Sequence, residues 1–243
     1  MLSTMLFRDS GYLAQQSAPK TGITPTIWFD PGNTSSYSGS GTTVRNLIGG
    51  GAISGTMSNV TYYSSTGAGA FAFNGFSSVI TFSTYNFGTT MTLIVWVMPI
   101  ANATISCIMS NCAANTITNG FKMYWNSWTT TDRKLLIEAG NGSAGSNALT
   151  NSAAVVYGSW QHVAICFNTS ARTASFYVNG VVQASGGTVT SGIGTNQSWW
   201  IGAIGGSSYW LNSLLSIFKI YNTVLSATDI QADYTNTRAR YGV

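Results

Sequence analysis

From residue 26 to the C-terminus the chain runs as short segments of alternating apolar and polar residues, separated by Gly, Ser, Asn and Thr. Alternation with a period of two places one set of side chains on each face of an extended strand and argues against helix. In HVAICF, Val163, Ile165 and Phe167 share a face, and in ASFYVNG, Phe176 and Val178 do. TASFYVNGVVQAS reads as a hairpin turning at Asn179-Gly180, the pair a type I′ turn favours. TIWFD, AISGTM, AFAFNG, SVITF, MTLIVWVMP, TISCIMS, GFKMYWN, KLLIEAG, SWWIGAIG and SLLSIFKIYN complete a set of about 12–14 strands. One helix is expected, opened by Ser226-Ala227-Thr228-Asp229 as a capping box, with Ile230, Tyr234 and Arg238 on one face. An all-β, two-sheet antiparallel sandwich with one short C-terminal helix follows.

Residues 26–243 show no repeat or break and read as one domain, whereas residues 1–25 lack the alternation and read as an N-terminal arm. Leu2, Met5, Leu6, Phe7, Tyr12 and Leu13 would let that arm anchor on a partner or fold back on its own domain. The segment lacks the apolar core of a secretory signal, and Met1 favours synthesis in a cytoplasm and residence in an assembly over a removed leader.

Only 7% of the residues are charged, and 62 Ser and Thr with 19 Asn make up the polar surface instead. Eight Trp, 12 Tyr and 11 Phe supply a core that a disordered chain lacks. The net charge of +4 is scattered, with no basic stripe to neutralise phosphates, so nucleic acid is not an expected partner. The longest apolar run, Met91 to Ala101, is about half of what a membrane-spanning helix needs. Cys107, Cys112 and Cys166 form no metal-ligand pattern and read as small buried thiols, with a Cys107–Cys112 bridge left open.

Three ordered segments carry a resemblance: WFDPGNTSSYSGSGTTVRNLIGG with FAFNGFSSVITF, then GSWQHVAICFNTSARTASFYVNGVVQASG, then IGAIGG through LNSLLSIFKIYNTVLSATDIQADYTNTRARYGV. Together they resemble the concanavalin A-like lectin/glucanase superfamily, in its laminin-G-like branch. The resemblance implies a jelly roll, of the kind that recurs in structural proteins of tailed phages and large viruses and in bacterial surface proteins. Val44-Arg45-Asn46-Leu47 departs from the aromatic and Asp that relatives tend to carry there, so an acidic group that could help hold calcium is missing.

Glycoside hydrolysis needs two carboxyl groups flanking the bond. Glu138 is the sole glutamate, the E-x-D-x-x-E pattern of glucanase relatives is missing, and the nearest acid, Asp132, falls in the turn TTTDRK. His162 is the sole histidine, sits mid-strand, and reads as structural. No cofactor is expected, although Asp30 and Asn33 with backbone carbonyls are weak candidates for Ca2+, and Asp30 also suits the Pro31-Gly32 turn.

Sugar binding calls for aromatic rings among amides and hydroxyls. The candidates are Tyr124, Trp125 and Trp128, and Trp200, Tyr209 and Trp210. Alternation in SWWIGAI sets Trp199 with Ile201 and turns Trp200 to the opposite face. The low charge, the arm and the resemblance together suggest a non-catalytic virion structural protein, a capsid decoration or minor capsid protein. It would be present in multiple copies, partnered by the major capsid or other virion proteins, with a lectin-like domain open to glycans. The alternatives are a free or cell-surface carbohydrate-binding module and a tail or fibre adhesin.

Overall fold

The computed structural model describes residues 22–193 and 197–243. Its strands begin with β1 (Ile27–Phe29), β2 (Thr43–Arg45), β3 (Ser54–Ser58), β4 (Thr61–Tyr63), β5 (Ala70–Asn74) and β6 (Val79–Tyr85). Next come β7 (Thr90–Pro99), β8 (Ser106–Ser110), β9 (Gly120–Trp125), β10 (Leu135–Gly140), β11 (Gly145–Thr150) and β12 (Gln161–Asn168). The last are β13 (Thr173–Val178), β14 (Val181–Gln183), β15 (Ser185–Gly187), β16 (Gln197–Ile201) and β17 (Asn212–Tyr221), followed by helix α1 (Ala227–Thr237).

Two antiparallel sheets form the sandwich of a jelly roll. One has eight strands, ordered β14-β13-β12-β7-β17-β5-β4 with β1 also paired to β17; the other has nine, ordered β15-β11-β10-β9-β8-β16-β6-β3-β2. The 17 strands among the described residues exceed the expected 12–14 because β2 and β4 are three residues long and β11 is GSNALT, too short or too polar to stand out.

Between the sheets lies a single large core holding Leu93, Val95 and Val97 of β7, Val163, Ile165 and Phe167 of β12, and Phe121, Met123 and Trp125 of β9. Trp199 is at its centre, stacked on Phe82 with centroids 3.7 Å apart. The uninterrupted apolar run of β7 has a simple cause: both its faces are buried. Ile94 and Trp96 point away from the sandwich core, into clusters that Leu225, Ile230 and Tyr241 close from outside. Strands buried on both faces lose alternation and read as continuous apolar runs.

The hairpin forms as its turn sequence demands, with Asn179 and Gly180 both at positive φ (51° and 78°) and Val178 opposite Val181. The capping box also forms: Ser226 Oγ accepts from Asp229 N (3.1 Å), and Ser226 N donates to Asp229 Oδ2 (3.1 Å). Of the expected helix face, Ile230 and Tyr234 pack on the sheet and Arg238 does not, while two polar residues join them. Ile230, Asp233 and Thr237 are buried, Tyr234 is half-buried and Arg238 is exposed. Polar anchors account for the difference. Asp233 accepts from Lys219 Nζ at 2.5 Å and lies 3.2 Å from His162 Nε2, while Trp96 Nε1 donates to Thr237 Oγ1 at 2.8 Å. Beyond the helix, Arg240 grips Asp30 with two hydrogen bonds of 2.8 Å, and Tyr241 stacks on Trp96.

Burial by itself would raise the Asp233 carboxyl, but Lys219 and His162 outweigh it and hold the group well below the usual carboxylate range. The stability it contributes is therefore complete above its ordinary value of 3.8 and drains away as pH falls below that. Asp233→Asn strands Lys219 without its counter-charge and should cost about 3–5 kcal/mol at neutral pH while flattening the acid limb. Urea unfolding across pH checks both, and an unchanged midpoint at pH 7 would show that the helix is held by other contacts.

Candidate functional site

With the eight-stranded sheet capped by α1, the broad β surface left facing outward is the far side of the nine-stranded sheet. Strand register aligns one row across eight of its strands: Asn147, Glu138, Lys122, Ser110, Trp200, Thr81, Thr56 and Thr43. Their sequence neighbours on each strand, such as Trp199, Phe82, Met57 and Val44, point into the core.

One half of this face is covered by the chain's own loops. Residues 111–119 cross it as a strap, with Lys122 Nζ donating to the carbonyls of Ala114 and Asn115 (3.0 Å each). The strap lies directly on the backbone of Gly140 and Gly145, where any Cβ would collide with the Thr116 carbonyl oxygen. Residues 202–211 cover the next strip. Ile204 packs on Cys107, Tyr124 and Leu136, Ser110 Oγ donates to Ala203 O (2.8 Å), and Gly206 closes against the Trp200 indole. Under these loops Glu138 accepts from Lys122 Nζ (2.6 Å) and from Tyr124 Oη (2.9 Å).

The other half is open. Trp200 is half-buried, and Thr81, Thr56 and Thr43 are exposed in its row, flanked by Ser83, Ser54, Ser58 and Arg45. The result is one indole at the head of a strip of hydroxyls, an arrangement that offers a ring face to apolar C–H groups and donors and acceptors to hydroxyls.

The aromatic candidates separate clearly against this geometry. Trp125 is 0% exposed between the sheets, so it is withdrawn as a binding ring: it stands on the inward face of β9. Tyr124 is also withdrawn; it faces outward, but the 202–211 loop buries it to 4% and its hydroxyl is spent on Glu138, while burial and that carboxylate push its phenol up. Trp128 is 67% exposed on the β9–β10 loop. Trp200, Tyr209 and Trp210 are half-buried, with Tyr209 packed on the Ile105–Cys107 cluster and held in the left-handed region (φ 51°). The structure thus aligns Trp200 with the threonine row, which the sequence pattern had not singled out. Its signal was present in the alternating hydroxyls of VITFS, SGTMS and TVR, outward partners of the core residues between them.

The side-chain carboxylates of the described residues are all engaged. Among the described residues, Asp30 pairs with Arg240, Glu138 with Lys122, Asp233 with Lys219, and Asp229 caps the helix. Asp132 accepts from Ser127 N (3.0 Å) and Ser127 Oγ (2.7 Å), which outweigh the effect of burial and lower its carboxyl. The two side chains considered for calcium are already committed: Asp30 is held by Arg240, and Asn33 Oδ1 accepts from Ser35 N (2.9 Å). No cluster of three or more His, Cys, Asp or Glu side chains suited to a metal occurs among the described residues. Cys107, Cys112 and Cys166 are free and buried, so the bridge left open between the first two does not form. Burial pushes the Cys112 and Cys166 thiols up to about 12 and about 11. The anchoring candidates Leu2, Met5, Leu6, Phe7, Tyr12 and Leu13 lie outside the described residues. No helix among the described residues is long and apolar enough to cross a membrane.

The strap makes a direct prediction. Gly145→Ala places a methyl against the Thr116 carbonyl and should destabilise the domain by about 1–3 kcal/mol, read by urea unfolding. A neutral substitution would mean that the strap does not rest on β11.

Comparison with known proteins agrees with this architecture. The structure resembles the botulinum neurotoxin type G receptor binding domain (TM-score 0.60, 16% identity, 87% of this chain and 51% of that one). It also resembles a Trypanosoma rangeli sialidase in complex with sialic acid (TM-score 0.64, 13% identity, 93% and 37%). A third likeness is to the binding domain of Paraclostridial Mosquitocidal Protein 1 (TM-score 0.58, 14% identity, 79% and 49%). The chain spans about half of the two binding domains and about a third of the sialidase, and at such identity the likeness concerns the fold. Among curated proteins, none matches the sequence. A family described as the concanavalin A-like lectin/glucanases superfamily matches residues 74–231, taking in the YVNG and IYN segments. The chain, a two-sheet jelly roll with one covered and one open half on its outer face, belongs to the concanavalin A-like lectin/glucanase superfamily.

Proposed function

We propose that the domain is a non-catalytic glycan-recognition module displayed on a virion, as a capsid decoration or minor capsid protein attached through residues 1–25. The observation that carries the glycan reading is the open strip headed by Trp200, in which one half-exposed indole shares a row with Thr81, Thr56 and Thr43. A pyranose laid along it stacks its C–H face on the indole and exchanges hydrogen bonds with the threonine hydroxyls. The non-catalytic reading is supported by the commitments of Asp30, Asp132, Glu138, Asp229 and Asp233, which among the described residues leave no pair of carboxyl groups free to serve as acid and nucleophile. The virion placement draws its support from the ordered SSYSGSGTT and RYG segments and from a surface of hydroxyls and amides, which packs into an assembly without desolvating charge.

Trp200→Ala should weaken retention on immobilised glycans roughly tenfold, about 1.4 kcal/mol, with little change in Tm. Trp128→Ala, on the β9–β10 loop, should leave retention near that of the parent. Equal retention by the Trp200 and parent proteins would remove the strip from consideration. For the assembly reading, deleting residues 1–21 should abolish attachment to purified particles while circular dichroism of the remaining domain is unchanged; undiminished attachment would place the anchor elsewhere.

A further inference from the structure

At the edge of the open strip, the loop between β1 and β2 folds into a small pocket of about 220 Å³, framed by Ser35, Ser38, Ser40, Thr42, Thr43 and Arg45. The loop is held from beneath: Ser36, buried, donates from Oγ to Arg45 O (2.8 Å) and accepts from Asp30 N (3.1 Å), and Tyr37 Oη donates to Gly41 O (3.0 Å). Gly39 and Gly41, at φ 90° and 79°, allow the tight reversals that turn the serines toward one hollow.

The chemistry of the pocket is one-sided. The hydroxyls of Ser35, Ser40, Thr42 and Thr43 make no hydrogen bond within the described residues, and the Arg45 guanidinium forms no ion pair or hydrogen bond there. The nearest carboxylate in sequence, Asp30, is already taken by Arg240. Unspent hydroxyl donors beside a free guanidinium, with no local negative charge, complement an oxyanion; a guanidinium in particular matches the paired oxygens of a carboxylate or sulfate.

The pocket is also continuous with the strip. Thr43 and Arg45 flank the buried Val44 on β2, so both lie on the outward face, and Thr43 ends the row that Trp200 heads. Three strand spacings separate β2 from β16, about 14 Å. We propose that the Arg45 pocket binds the acidic substituent, a carboxylate or a sulfate, of a glycan whose neutral rings lie along the strip toward Trp200. This specificity rests on the glycan reading above.

The test is calorimetric titration of the full chain with three oligosaccharide series of matched length: neutral, uronate-containing and sulfated. At least one acidic series is expected to bind roughly tenfold or more tightly than the neutral one, as for a hydrogen bond to a charged group, and the preference should weaken with added salt. The uronate and sulfated arms distinguish the two anions. Arg45→Gln should erase the preference while leaving neutral binding intact, and Arg45→Lys should keep part of it. An acidic preference that survives Arg45→Gln, or equal binding of all three series, overturns the pocket and leaves the strip standing. As a second readout, glucuronate and sodium sulfate alone should perturb the backbone amide NMR signals of residues 38–45. Perturbation there without oligosaccharide binding would keep the pocket and sink the Trp200 strip, whereas no perturbation and no binding would overturn both.

Discussion

The central strands of the eight-stranded sheet, β7, β12 and β17, are buried on both faces, and the rest of the molecule is arranged around that fact. One face packs on the nine-stranded sheet and supplies the sandwich core. The other must also be shielded, and helix α1 with the C-terminal turn does so over Ile94, Trp96 and Ile217. Because the helix crosses a sheet that carries Lys219 and His162, it brings a buried carboxylate, Asp233, to meet them. A cover consumed on one side of the sandwich leaves the outward face of the nine-stranded sheet without a helix over it.

That face is divided by backbone rather than by charge. Gly140 and Gly145 let the 111–119 strap settle onto β10 and β11, and Gly206 lets the 202–211 segment close against Trp200. Glu138 and Lys122 are sealed beneath as a mutual pair, an arrangement in which desolvation takes back much of what Coulomb attraction gives. With so few charges in the chain, the acids serve as staples: Asp30 ties the first strand's loop to Arg240 near the C-terminus, Asp233 docks the helix, Asp229 caps it and Asp132 braces a turn. The open strip carries hydroxyls and an indole instead, with the Arg45 guanidinium at its edge, and these are the groups of the proposed recognition surface.

Much of this was legible from local pattern. The Asn179-Gly180 turn, the Ser226 capping box and the opposition of Trp199 and Trp200 depend on backbone preference and period-two geometry, which short stretches of sequence carry by themselves. Two losses were local as well. Strands such as Thr43–Arg45 and Thr61–Tyr63 are too short to display alternation, and their neighbours in the sheet define them. The helix face was legible at Ile230 and Tyr234 but not at Asp233 and Thr237, polar residues that are interior only because Lys219, His162 and Trp96 wait beneath them.

The sequence by itself determined an all-β sandwich, its principal strands, its hairpin turn and which residue of each alternating pair points outward, since all of these follow from steric and hydrophobic preferences within a few residues. Only the tertiary structure decided which outward residues meet solvent. Tyr124 and Trp200 both stand on the outer face of the same sheet, yet one is sealed and the other remains half-open. The difference lies in where two loops distant in sequence come to rest, and that depends on missing side chains at Gly140, Gly145 and Gly206 and on hydrogen bonds from Lys122 and Ser110. Contacts of that kind join residues far apart along the chain, and no local periodicity encodes them.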